Sequence, residues 1–400
     1  MEICKLSGYF IFFLREKIIF ALLIFAIMAS AQNEGNWFNE NTQFSGYVKF
    51  LNTSTFKNFN SIANDNLLHN RLNLKIYASE AFTVSVELRN RLFWGNSVQN
   101  IPNYADLIDE NQNIDLSVNI IDKPALLLHS KIDRLNIDYR VGKWQFTIGR
   151  QRINWGKNLV WNPNDLFNTY SFIDFDYEER PGADALRVQH FLSGDSSLEA
   201  VINYIKDGVD NTLAFKYNFH KYNYDFQVLL AKYLEDYTIG IGWEGAIKTV
   251  GIKGEFSYFI PQEKGNTHDD VLVGSVSLDY YFKNGISVNS SILFNGGGIR
   301  NSNYFDANQF NNLELNAKNL MPNRWSYFFQ ISKSLTPAIN ASMSTIYAYE
   351  LKGLFLMPQF GYSISQNWDL DMIAQVFYGK EDDNFSNVQN SIFLRFRWSF

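Results

Sequence analysis

The sequence is poor in the features that divide a chain into soluble domains. Its 400 residues include only 8 prolines and no serine-glycine linker, and no block of like charge runs beyond a few residues. One large unit is the reading these absences favour. The single cysteine, Cys4, lies close to the N-terminus. A chain processed beyond that point has no disulfide, no thiolate metal site, no catalytic thiol and no lipid-modified cysteine. Lysine and arginine number 35 against 41 acidic residues. That mild acidity excludes nucleic acid as the natural partner. Beyond residue 31 no apolar run approaches the ~20 residues of a helical membrane span, so helical insertion is excluded there too.

What is present begins with an address. Arg15, Glu16 and Lys17 precede "IIFALLIFAIM", and Ala29, Ser30 and Ala31 follow as a small-x-small cleavage pattern. This is the layout of a secretory signal over 1–31. Its removal takes away 3 basic and 2 acidic residues, which leaves a net charge of −7. Residues 32–43 are then expected to form a short periplasmic segment, and 44–400 a single folded unit too close to the N-terminus to leave room for a plug domain. Aromatic residues make up 16% of the chain, and a membrane interface is a place where such rings are useful.

Period-two alternation recurs throughout. Phe82, Val84, Val86, Leu88 and Leu92 alternate with Thr83, Ser85, Glu87, Arg89 and Arg91. At the C-terminus Ile392, Leu394, Phe396, Trp398 and Phe400 alternate with Ser391, Arg395, Arg397 and Ser399, with Phe393 the one exception. Such segments are strands with one apolar and one polar face. The pattern predicts eighteen of them, from 44–52 to 389–400, with sixteen as the other count. After even-numbered strands the links are tiny, among them "SE", "GK", "KY" and "SQN". After odd-numbered strands they are often long, as at 53–67, 95–130, 153–182 and 296–323. Sorting of loops by parity, with an even strand count, predicts an all-β transmembrane up-and-down antiparallel barrel with short periplasmic turns and long extracellular loops.

A barrel of this size leaves an aqueous lumen, so the charge of its inner wall becomes the functional variable. By parity, Lys49, Arg71, Lys75, Arg89, Arg91, Arg134 and Arg140 face inward, joined by Arg395 and Arg397 across the seam. Glu87 and Asp138 are the acidic residues expected on that arc. A basic wall favours anionic solutes, or sugars carrying anionic groups. An equal reading is that these cations pair with acidic loops folded into the bore. The loop acids Asp106, Asp109, Glu110, Asp115, Asp174, Asp176, Glu178, Glu179, Asp269, Asp270, Glu381, Asp382 and Asp383 read chiefly as solvated charge. Calcium or a divalent bridge to lipopolysaccharide is the lesser reading, and no metal or cofactor site is expected.

The densest stretch is "GRQRINWGKNLVWNPNDLFN" with "ERPGA" behind it. Gly149, Arg150 and Gln151, then Asn154, Trp155 and Gly156, then Asn162, Pro163 and Asp165, then Arg180, Pro181, Gly182 and Ala183 form a motif. It resembles that of a family of large outer-membrane barrels related to the alginate-export and general porin barrels. The resemblance covers about 35 residues and implies a porin-like barrel without a defined substrate. Independently of it, 153–182 is expected to fold inward as a constriction. Arg150, Arg152 and Asp165 would face the pore, and Trp155 and Trp161 would offer faces for sugar stacking or stand in an interfacial belt. Arg150 shares parity with outward Phe146 and Ile148, so a bulge after Gly149, or a position above the bilayer, is required. A final strand ending in Phe396, Trp398 and Phe400 resembles the signal that outer-membrane barrels present to their assembly machinery.

The function expected is passive passage of small hydrophilic solutes through the bacterial outer membrane. Lipid, lipopolysaccharide, the assembly machinery and further copies of the chain are its expected partners. Two alternatives stay open. One is a structural or adhesive barrel with a blocked bore. The other is a membrane hydrolase, for which His268 beside Asp269 and Asp270, or His190 on the lipid parity, is the weak signal. No enzymatic activity is expected.

Overall fold

A strand with two unlike faces must put each against a different solvent, and a sheet that closes on itself separates the two. In the computed structural model, residues 40–108, 114–176, 180, 182–203, 211–262, 269–300, 315–381 and 384–400 are described. The expected signal segment, and the expected periplasmic segment up to residue 39, lie outside these. The strands are β1 (Thr42–Phe56), β2 (Ile62–Ser79), β3 (Phe82–Gly95), β4 (Ser117–Lys123), β5 (Leu126–Val141), β6 (Trp144–Gln151), β7 (Ala183–Phe191), β8 (Ser197–Asn203), β9 (Thr212–Lys221) and β10 (Tyr224–Tyr233). They continue as β11 (Asp236–Ile247), β12 (Val250–Pro261), β13 (Val271–Tyr281), β14 (Ile286–Asn295), β15 (Trp325–Thr336), β16 (Ile339–Ala348), β17 (Gly353–Ser365), β18 (Trp368–Glu381) and β19 (Asn384–Ser399).

Eighteen of these form one closed antiparallel ring, each paired with its neighbours and β1 paired with β19. The eighteen are those read from the sequence. At the seam Gly46 and Phe400 exchange both backbone hydrogen bonds, at 2.9 and 3.0 Å. The extra strand, β4, belongs to the connection from β3 to β5. It pairs with the upper half of β5, Ser117 opposite Lys131 and Lys123 opposite Leu126. β6 holds that side of β5 lower down, with Leu135 opposite Arg150. The β4 segment thus continues the wall above the point where β6 ends.

One expected loop is not a loop. Residues 53–67 extend β1 and β2 into a long hairpin, paired up to Phe56 opposite Ile62. The outward faces of these strands carry amides rather than apolar residues, which hides the alternation. Asn52 accompanies Val48 and Phe50 on the outward face, and its partner Asn66 accompanies Leu68. Side chains there bond to each other: Asn66 accepts from Asn52 (2.9 Å), Asn70 from Asn90 (3.1 Å), and Asn90 from Ser130 (2.6 Å).

Elsewhere the outward face is apolar. Ile148, Phe215, Leu230 and Met372 are each more than half exposed. A continuous ring of such side chains is what a bilayer covers, and aromatic residues flank it. At the short-turn end Trp398 lies 6.0 Å from Trp368 and 5.0 Å from Phe400 between ring centroids. Phe393, the exception to the terminal alternation, points inward and meets the ring of Phe175 edge-on at 4.6 Å.

Candidate functional site

Residues 152–176 leave the top of β6 and cross the inside of the barrel. The crossing is fixed by wall side chains that accept or donate to the loop backbone. Glu255, fully buried on β12, accepts from the backbone N–H of Asn158 (3.1 Å), Asn164 (3.0 Å) and Lys157. Ser257 donates to Asn164 Oδ1 (2.7 Å), and Ser277 on β13 donates to Asn158 Oδ1 (2.6 Å). Gln227 on β10 donates to the Trp155 carbonyl (2.9 Å). Further along, Phe172 packs on Phe328 of β15 at 4.8 Å, and Gln375 of β18 donates to the Ile173 carbonyl (2.6 Å). The path ends at the seam, where Asp176 receives Lys49 Nζ of β1 at 2.8 Å and lies 3.6 Å from Arg395 of β19.

The two tryptophans do not offer open faces. Trp155 is 1% exposed and donates its indole N–H to Glu199 on β8 (2.7 Å). Its ring lies under Lys216 at 4.8 Å and against Phe167 at 5.1 Å. Trp161 is 4% exposed and packs edge-on to Phe328. Both are packing residues of the docked loop, and neither stands in an interfacial belt. Asp165 is buried too, 2.9 Å from the Arg180 guanidinium. Burial pushes its carboxyl up to about 6, although Arg180 draws it the other way. Arg152 is exposed.

Arg150 corrects a second expectation. The β5–β6 pairing runs through Gly149 without a register shift, and Gly149 has φ +109°. Arg150 keeps the parity of outward Ile148 but is 1% exposed. It forms two bonds of 2.9 Å to Asp184 and donates to the carbonyls of Ile132 and Ile114. It fastens the β4 segment to the wall and does not line the pore.

The basic arc is present, and much of it is paired with carboxylates. Arg71, 1% exposed, bridges Glu87 and Asp133, and Arg89 lies 3.4 Å from the same Asp133. Lys49 is fully buried against Asp176. Arg91 donates to the Ile108 carbonyl, and Arg134 to those of Asp133 and Arg180. Arg395 pairs with Asp371 and Arg397 with Asp369, each at 3.0 Å. Lys75 is exposed, and Arg140 stands 65% exposed beside Asp138 at the short-turn end. Parity missed Asp133, His129 and Lys131. A register shift in the β3–β5 pairing at Glu87/Leu88 exchanges the inward positions of β5 above that point.

Beneath the inner loop two adjoining cavities, of about 810 and 610 Å3, share Tyr281, Ser287, Gln330 and Ser332. The smaller reaches Asn158 of the loop, and the larger reaches Gly285 and Ser363 at the short-turn end. Their lining is mostly hydroxyl, amide and paired charge. Of the hydrolase signals, His268 lies outside the described residues. His190 faces outward, 4.1 Å from the Trp144 ring. Among the described residues no group of three or more His, Cys, Asp or Glu is placed to hold a metal ion.

No family model matches the sequence, and no curated protein matches it. The fold is similar to solved structures. Pseudomonas aeruginosa OpdQ superposes with a TM-score of 0.57 at 9% identity, over 90% of this chain and 98% of that one. For P. aeruginosa OccK5 (OpdH) the values are 0.56, 10%, 90% and 99%. For Acinetobacter baumannii OccAB2 they are 0.54, 10%, 92% and 99%.

Two outcomes follow for the inner loop. Glu255→Gln replaces an acceptor of three N–H groups by an amide that presents its own N–H to them, at a cost of about 1–3 kcal/mol in docking. Limited proteolysis is expected to find a new cut within 155–168 of the variant; resistance equal to wild type contradicts the role of Glu255. Asp165 contributes to the pH dependence of docking. Its value in an unfolded chain is about 3.9, so the docked loop takes up a proton more readily than the free one. Docking therefore strengthens as the pH falls from about 7 to about 4, and Asp165→Asn reduces the change. Amide-exchange protection factors over the loop at about pH 5 and pH 7.5 measure this, and protection that drops on acidification is the contrary result.

Proposed function

We propose that the protein is a porin-like channel of the bacterial outer membrane that passes small hydrophilic solutes passively and carries no catalytic centre. The observation that carries this reading is a closed ring enclosing polar cavities that run from the short-turn end to the underside of a docked loop. A wall lined with serine, glutamine and paired charge is costly to build for a solid core and suited to a wetted path. The shared architecture with Occ and Opd outer-membrane porins supports it. Export through a cleaved signal at 1–31, delivery to the assembly machinery through Phe396, Trp398 and Phe400, and contact with lipopolysaccharide complete the reading. The motif at 149–183 supports kinship with the alginate-export barrels.

The outward amides support self-association. Asn52, Asn66, Asn70 and Asn90 share the outward face with apolar residues such as Phe50, Leu68 and Leu92, and each bonds to a neighbour on the same wall. Hydrocarbon offers amide groups no further partners, whereas a second copy of the chain offers the same amides in return. The interface assigned is the outward face of β1, β2, β3 and β5.

Refolded signal-free protein in a planar bilayer is expected to give discrete current steps. Removing 157–164 is expected to enlarge them. Wild-type silence with a conducting deletion would establish the blocked-bore barrel instead, and silence of both folded proteins contradicts a channel. Blue-native electrophoresis of outer-membrane extracts is expected to show an oligomer that Asn70→Leu with Asn90→Leu reduces to monomer. A wild-type monomer at all detergent concentrations tested removes the interface.

A further inference from the structure

Charge is distributed unevenly around the inner wall. Lys49 of β1, Arg71 of β2 and Arg89 of β3 are sunk into ion pairs and sealed, with exposures of 0%, 1% and 4%. They do not border the two cavities. The free space lies on the other side of the seam, against Ser287, Gln330, Ser332, Ser342, Gln359 and Ser363 on β14 to β17. Most charges that reach the same space come opposed, and Asp279, which lines the smaller cavity, adds a carboxylate outside any ion pair among the described residues. Arg395 faces Asp371 and Arg397 faces Asp369, while Lys253 lies 2.6 Å and Lys157 3.7 Å from Glu244. Lys333 borders the larger cavity from a strand position aligned with outward Ile331 and Leu335.

We propose that the solutes selected are uncharged polyhydroxylated molecules of saccharide type, and not anions; this rests on the channel reading above. A serine hydroxyl and a glutamine amide each donate and accept, and so does every sugar hydroxyl. A sugar entering this space exchanges its bonds to water for equivalent bonds to the wall, with little net cost. An anion loses hydration that neutral donors replace only in part, and the inward cations Lys157, Lys253, Arg395 and Arg397 already hold carboxylates. The basic residues conspicuous in the sequence are therefore structural struts of the wall, and the inconspicuous serines form the path. The larger cavity, at about 810 Å3, falls within the ~300–1,000 Å3 range of small-molecule sites.

Osmotic swelling of proteoliposomes compares glucose with gluconate, an anionic sugar acid of similar size and hydroxyl pattern. Glucose is expected to enter several-fold faster than gluconate. The double substitution Asp369→Asn with Asp371→Asn adds two net positive charges to the wall and is expected to raise the gluconate rate relative to glucose several-fold. Heat-modifiable gel mobility verifies that both proteins are folded. A wild-type gluconate rate equal to or above that of glucose overturns the proposal while leaving the channel intact. Absence of swelling with every solute, from a folded and inserted barrel, overturns the channel reading and the proposal together.

Discussion

Everything in this molecule depends on the pairing of β1 with β19. A sheet in hydrocarbon cannot leave an edge, since unpaired backbone groups find no water there. The seam meets that constraint with a ladder from Tyr47 opposite Ser399 to Phe56 opposite Asn390. The same register places Lys49 opposite Arg397 and Leu51 opposite Arg395 on the inner face. Like charges brought so close repel, so closure creates a demand for acid. Asp369 and Asp371 of β18 meet part of it, and Asp176 of the inner loop meets the rest. The need to close the wall thereby helps to draw the loop across the bore.

From that constraint the interior divides into two arcs. Along the seam and its neighbours, charge is spent on holding wall and loop together. Along β14 to β17 the wall is small, uncharged and hydroxylated, and the space stays open. Glu255 stands on the arc between them, where its three N–H bonds tie the middle of the loop to β12. The loop is thus fixed at both ends of its crossing, and the cavities lie beneath it.

The fold was legible because the period-two signal is long-range in extent but local in cause. All eighteen ring strands were readable, and so was the sorting of turns and loops. Residues 53–67 failed for a physical reason: amides on the outward face imitate a loop when lipid is assumed to demand apolar residues. The inward positions of Lys49, Arg71, Arg89, Arg395 and Arg397 were readable from parity, but their partners were not. Asp133 sits beyond a register shift that no spacing reveals. Glu199 and Glu255 are separated from the loop residues that they hold by 44 and about 90 to 100 positions. Trp155 and Trp161 looked like binding faces because a sequence shows a ring and not what covers it.

The central claim is that residues 152–176 are docked within the bore, and the rarity of cysteine makes it directly measurable. In protein produced without residues 1–31, and so without Cys4, Asn158→Cys and Ser277→Cys would be the only thiols, at positions whose side chains bond at 2.6 Å. Mild oxidation of the folded protein is predicted to join them nearly completely, with no loss of heat-modifiable mobility. Thiols that stay unjoined, and that both react with a bulky water-soluble maleimide on the folded barrel, would show the loop lying away from the wall and contradict the account.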